Sequence, residues 1–327
     1  MFTKIKFMYD VITVGSATVD AFVDTENKLF IGKKRIHVPF GSKLLIEDLR
    51  FDIGGGGTNC AVAFSRLGLK TGYVGKIGVG TNSQRIVNLL KKEKISLSLV
   101  SRGGERTGFS IILDAKGHDR TILAYKGSND DLRYSDIKKN KLNTKWFYFT
   151  SMMGESFQTL KKLAVFAEKN KIKILFNPSS YLARKGKGYI REILKRCNIL
   201  ILNKEEAGLL LNKSSVKSLL LGLYKLGPEI VVITEGVKGV YAYNGEQSYF
   251  LKPHNIKVLE ATGAGDSFGA GFLAGMIKKD DVEFALQLGL AEAESVITHY
   301  GAKNKLLKWG EAIRIVNKKP GKIKLSH

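Results

Sequence analysis

Apolar positions divide the chain into short buried strands and amphipathic helices. Asp10-Val11-Ile12-Thr13-Val14-Gly15 is an apolar run closing on a glycine, the pattern of a strand buried on both faces of a parallel sheet. Similar runs occupy residues 71–77, 146–149, 172–176, 199–202 and 230–234. Between them, helical patterns cover 60–67, 82–94, 156–169, 204–211, 216–226 and 282–298. Such alternation predicts an α/β fold, a mainly parallel sheet covered by helices. Two stretches break it. Residues 21–52 hold short β-like pieces (Ala21–Val23, Arg35–Val38, Lys43–Ile46) interrupted by Gly32, Pro39 and Gly41. Residues 107–125 hold Phe109–Leu113 and Thr121–Tyr125, flanking Asp114-Ala115-Lys116-Gly117, which reads as a hairpin turn. No internal repeat or low-complexity linker marks a second unit, so residues 1–327 are expected to form a single domain.

Charge changes this picture little. The 53 Lys+Arg against 30 Asp+Glu give a formal net charge of +23, enough to raise nucleic-acid binding. The lysines are spread along the chain without a basic tail or binding module, so nucleic acid ranks below attraction of anionic substrates such as nucleotides. No apolar run approaches the roughly 18 residues of a membrane span. Met1–Tyr9 lacks the apolar core of a signal peptide, and a cytoplasmic protein is expected. Cys60 and Cys197 sit among apolar neighbours and read as reduced core residues.

The chemistry centres on Ala261–Phe272, A-T-G-A-G-D-S-F-G-A-G-F. Gly263 and Gly265 make a small-residue turn, and from Ser267 an apolar run at helical spacing follows (Phe268, Phe272, Met276). A turn at a helix N-terminus favours an anion, phosphate above all. Asp266 at this place reads on spacing as a helix cap; beside a phosphate it could take a proton from an attacking hydroxyl. A P-loop would need Lys and then Ser or Thr after its last glycine, where this chain has Asp266 and Ser267. A dinucleotide fingerprint would need a third glycine and an early position.

T-G-A-G-D-S-F followed by G-A-G-F resembles the C-terminal signature of the PfkB/ribokinase family of carbohydrate kinases. Gly54-Gly55-Gly56-Gly57-Thr58-Asn59, opening into the helical run Cys60–Leu67, resembles that family's N-terminal signature. The resemblance reaches from the first strand to about Gly310. It implies a ribokinase-like three-layer α/β fold with a small β-sheet lid, built from about 20–52 and 105–126 and often used for dimer contact. It further implies an ATP-dependent kinase acting on a hydroxyl of a sugar or sugar-containing molecule. Asp266 would be the catalytic base, and Gly263, Ala264 and Gly265 would complete the anion hole. Asp20, Gly55, Gly56 and Asn59 would hold the acceptor. Family ribokinases commonly carry Lys where this chain has Gly56, so ribose is not singled out.

On the nucleotide side, Asn203 and Glu206 match the family's N-x-x-E motif, which orders Mg²⁺ through water. Their spacing is equally that of a helix capping box. Thr234 and Gly236 match a loop that touches the nucleotide, and Gly301-Ala302 its adenine side. Glu260 stands where the family usually has an Asp beside a monovalent cation, which puts potassium activation in doubt. Asp20 taken alone reads as a turn residue. A nucleoside acceptor would use an aromatic platform from Phe22, Phe40 or Phe51, and a sugar phosphate a basic anchor from Arg102, Arg106 or Arg120. A non-catalytic sugar or nucleotide sensor on the same fold is the reading from another class, which the intact Asp266 turn argues against.

Overall fold

The computed structural model describes residues 8–24, 30–32, 35–37, 40–114 and 121–326. Its strands are β1 (Tyr9–Val14), β2 (Thr18–Asp24), β3 (Phe30–Gly32), β4 (Arg35–His37), β5 (Asp48–Gly54), β6 (Thr71–Val79), β7 (Val100–Arg106), β8 (Gly108–Asp114), β9 (Thr121–Tyr125), β10 (Thr144–Thr150), β11 (Lys173–Asn177), β12 (Ile199–Asn203), β13 (Ile230–Thr234), β14 (Val240–Tyr243), β15 (Ser248–Leu251) and β16 (Ile323–Ser326). Its helices are α1 (Gly56–Arg66), α2 (Thr81–Lys92), α3 (Gly154–Lys169), α4 (Ser180–Ala183), α5 (Lys187–Leu194), α6 (Lys204–Leu211), α7 (Val216–Tyr224), α8 (Ala264–Lys279), α9 (Val282–Ile297) and α10 (Trp309–Lys318).

A ten-stranded sheet runs β16-β15-β14-β13-β12-β11-β10-β1-β6-β7. It is parallel from β7 through β13 and antiparallel beyond. Successive side chains of a strand point to opposite faces, and β1 feeds two cores accordingly. Val11 packs with α1, α8 and α9, whereas Ile12 and Val14 pack with α3, α5, α6 and α7. Helices α8 and α9 approach closely because glycines face the partner: a Cβ on Gly275 would lie 2.6 Å from Ala285 Cα. Gly271 and Gly275 therefore serve helix packing, while Gly269 makes room for the Tyr148 hydroxyl of β10. Among the described residues no helix is long and apolar enough to cross a membrane.

A separate four-stranded sheet runs β5-β2-β8-β9, drawing its strands from both stretches that break the α/β alternation. Lys43–Ile46, expected as a strand piece, is not one; Leu45 and Ile46 are exposed without a partner strand. The paired strand is Asp48–Gly54, whose alternating charges mask it in the sequence. Arg35–His37 pairs with Phe30–Gly32. Val38, Arg120 and the hairpin turn at 115–117 lie outside the described residues. The antiparallel strands β14, β15 and β16 and the helices α4, α5 and α10 have no counterpart in the sequence reading.

Candidate active site

Helix α8 begins at Ala264, three residues earlier than the apolar run suggests. Gly263 is its N-cap, with φ 77° and no side-chain cap. A side chain would be strained at that φ and would also collide, since a Cβ there falls 2.5 Å from the Ala302 Cβ. Asp266 therefore lies in the first helical turn and does not cap the helix, which corrects the reading from spacing. By helix geometry, first-turn N–H groups lack intrahelical acceptors. Gly265 is exposed, and a Cβ there would meet nothing within 4 Å. The turn is thus an open, electropositive end beside a carboxylate.

Asp266 Oδ2 accepts a 2.8 Å hydrogen bond from Asn59 Nδ2 in α1. Burial pushes the Asp266 carboxyl above the usual carboxylate range, against lowering by Asn59, Lys303 and Cys60. Asp266, Gly56, Ser16, Asn129, Asp130 and Thr150 line one cavity of about 220 Å³. It opens where the parallel strands end at their C-termini, the usual ligand position in such sheets. Gly55, with φ 93°, turns the chain into α1 against the backbone of Ser16 and Ala17, where a Cβ would come within 2.5 Å of Ser16 O.

Asp20 does not sit in a loop beyond β1. It lies within β2, register-paired with Asp52 of β5 and Ser110 of β8. Burial raises its carboxyl, opposed by Ser110, Lys303 and Thr18. Strand alternation puts Phe22 on the same face as Asp20 and Phe51 on the other; Phe51 carries Arg85 over its ring at 5.2 Å. Phe40 is fully exposed. Arg106 lines a different cavity of about 810 Å³, with Val79, Gly80, Thr81, Phe109 and Tyr125. Apart from Arg106, that larger cavity is lined by none of the residues singled out for the site.

Three residues here escaped the sequence reading. Lys303 is 4% exposed, and its Nζ donates to Asn59 Oδ1 and to Ile53 O. Burial lowers its ammonium, against raising by Asp52, Asp20 and Asp266. The second is Asp52, and the third is Asn129, which brackets the Ala17 backbone by bonds of 2.8 and 2.9 Å. Nothing singles out one lysine in a lysine-rich chain. For Asp52, its place two residues before the glycine run was the available signal.

The other predicted residues are engaged locally. Asn203 and Glu206 form a capping box: Glu206 N donates to Asn203 Oδ1 at 2.8 Å, and Asn203 N to Glu206 Oε2 at 3.0 Å. Burial pushes the Glu206 carboxyl up to about 7; Asn203 lowers it, and Glu205 and Asp266 raise it. Thr234 is the register partner of Asn203 on the neighbouring strand. Gly236, with φ 53°, follows Glu235, which accepts from Lys204 at 2.8 Å and Lys238 at 3.1 Å. Neither Thr234 nor Gly236 lines the cavity at Asp266. Gly301 abuts the small sheet, where a Cβ would meet Asp52 Oδ2 at 2.6 Å. Its N–H donates to Glu260 Oε2 at 2.8 Å, and Glu260 Oε1 accepts from Thr262 Oγ1.

The pfkB family carbohydrate kinase model matches residues 8–309. An uncharacterized sugar kinase of Archaeoglobus fulgidus is 30% identical over 251 residues, covering 75% of this chain and 98% of its own. The fold is that of the Methanocaldococcus jannaschii nucleoside kinase, at TM-score 0.80 and 23% identity over 96% of this chain and 100% of that one. It is equally that of Arabidopsis thaliana ribokinase complexed with ribose and ATP, at TM-score 0.81 and 20% identity over 94% and 98%.

Proposed function

The chain belongs to the pfkB family of carbohydrate kinases, and we propose that it is a cytoplasmic enzyme moving the γ-phosphoryl group of ATP to a hydroxyl of a neutral sugar. The observation that carries this is the pairing of an uncapped helix N-terminus with Asp266, held by Asn59. Asp266 takes the proton of the acceptor hydroxyl as its oxygen bonds to the γ-phosphorus. The bond from that phosphorus to the bridging oxygen breaks, and its electron pair leaves with ADP. The N–H groups of Gly263 to Asp266 stabilise negative charge on the phosphoryl oxygens. A carboxyl raised by burial holds its proton more tightly than an exposed one, which suits a general base.

Asp20, Gly55, Gly56 and Asn59 orient the acceptor, and the small sheet acts as the lid that excludes water. Asp20, Asp52, Asp130 and Asp266 outnumber the ammonium groups of Lys303 and Lys126 at this end. That balance disfavours a sugar phosphate. Phe22, on the Asp20 face, supports a nucleoside as the second reading; the M. jannaschii neighbour is a nucleoside kinase.

Thr234, Gly236, Asn203 and Gly301 lie toward the nucleotide. Among the described residues no group of three or more His, Cys, Asp or Glu could hold a metal, and Glu206 already accepts backbone N–H groups. These residues fit Mg²⁺ held mainly by phosphates and water, with Glu206 reaching it through water. There it would screen phosphate charge. Glu260 ties the 260–262 and 301 loops directly, so turnover should not require potassium. Leu49 and Phe51 on edge strand β5 and Ile122, Leu123 and Tyr125 on edge strand β9 are exposed, which supports a homodimer through the small sheet.

The test is acceptor-dependent ADP formation from ATP and Mg²⁺ across pentoses, hexoses, nucleosides and sugar phosphates. A neutral sugar or nucleoside should give the strongest turnover, in sodium as in potassium. No acceptor-dependent turnover with retained ATP binding would point to a sensor instead.

A further inference from the structure

Lys303 occupies a place where a cation is expensive. A buried ammonium is stable only with close partners, and the partners found here all belong to the candidate site. Its Nζ donates to Asn59 Oδ1 of α1 and to Ile53 O at the end of β5. Asn59 in turn uses its Nδ2 on Asp266 Oδ2 at 2.8 Å. The amide of Asn59 is thereby fixed from both sides, its oxygen on the ammonium and its nitrogen on the carboxylate. The backbone of Lys303 is held as well: Arg66 Nη1 donates to Lys303 O at 2.8 Å, while Arg66 forks onto Glu93 at 2.6 and 3.1 Å. One lysine thus joins the loop after α9, the small sheet, α1 and the first turn of α8.

We propose that Lys303 is a positioning residue that orients Asn59 against Asp266 and supplies the positive charge beside that carboxylate. The inference rests on Asp266 being the base, and it adds a residue that reaches that base through Asn59. The other titratable groups around Asp266 are Cys60, Tyr148 and Glu206; those around Lys303 are Asp20, Asp52 and Cys60. Lys126 and Asp130 line the same cavity, but of the groups that shift the Asp266 carboxyl Lys303 is the one cation, so removing it takes that lowering away.

The experiment titrates the Asp266 carboxyl by carbon NMR in the whole protein, wild type against Lys303→Gln. This needs no acceptor. Glutamine keeps an amide donor and removes the charge, and the midpoint should move to higher pH by roughly one unit or more. With the best acceptor of the panel, the acidic limb of kcat/KM should move the same way. Activity lost near neutral pH should then return at higher pH, while ATP affinity stays unchanged. Should Lys303→Gln fold poorly, Lys303→Met gives the same titration. An unmoved midpoint, or a uniform loss of activity at every pH, would overturn the proposal. The base assignment is read separately from Asp266→Asn: an inactive Asp266→Asn with an unmoved midpoint in Lys303→Gln sinks only the role of Lys303.

Discussion

The Asp266 end of the site and the Asn203 end are bonded on different plans. At the Asp266 end, side chains reach partners far away in the chain: Asn59 to Asp266, Lys303 to Asn59 and Ile53, Arg66 to Lys303. At the Asn203 end, side chains are mostly satisfied nearby, by a capping box within α6 and by Lys238 on Glu235. Local bonds of the second kind shape a helix end or a turn and would exist in any protein with that segment. Bonds of the first kind gather polar groups that the chain must fold completely to unite. Buried polar networks of this type are costly when incomplete, so the Asp266 end should be unforgiving and the Asn203 end tolerant.

Substitutions can break or sharpen that contrast. Asp266→Asn should cost the most, about 10²–10⁴-fold in kcat, as general-base removal does. Asn59→Ala should follow, with kcat/KM for the acceptor down roughly 10- to 100-fold, because misplacing a catalytic group costs rates of that order; the KM for ATP should hold. A comparable loss of ATP affinity would show that the two ends are not separate. Gly263→Ala should destabilise by about 1–3 kcal/mol for a strained left-handed residue, read by denaturant melts, and lower kcat by displacing the turn.

Glu206→Gln should cost least, since Gln also completes a capping box. Its signature is pH dependence. The Glu206 carboxyl rises from 4.5 to about 7 on folding, so the folded state binds the proton more tightly. The associated stability is complete below pH 4.5 and lost as pH rises through 7. Wild-type stability should fall across that window relative to Glu206→Gln. Parallel stability curves would place Glu206 in a more open setting than its burial indicates.

The sheet and its covering helices were legible because apolar runs and helical spacing are local signals. Helix α6 and strand β13 match their expected limits, and the small sheet was visible as a break in alternation. Its strand β5 was not, because Asp48, Arg50 and Asp52 interrupt the apolar pattern. Motifs brought Asp266, Asn59 and Asp20 into view, while spacing alone misread the settings of Asp266 and Asp20. Asp266 read as a cap because spacing cannot tell N-cap from first turn, and Asp20 read as a turn residue because its partners Asp52 and Ser110 are distant in sequence. Lys303 was invisible for the same reason: its meaning lies in contacts with residues about 250 positions away.

The central claim is that Asp266 takes the acceptor proton. It is tested most directly by measuring phosphoryl transfer and ATP affinity on one preparation of Asp266→Asn beside wild type, with the best acceptor of the panel. The account predicts that transfer all but disappears while ATP binds as tightly as before. Near-normal transfer by Asp266→Asn would contradict it and move the search for the base elsewhere in the cavity.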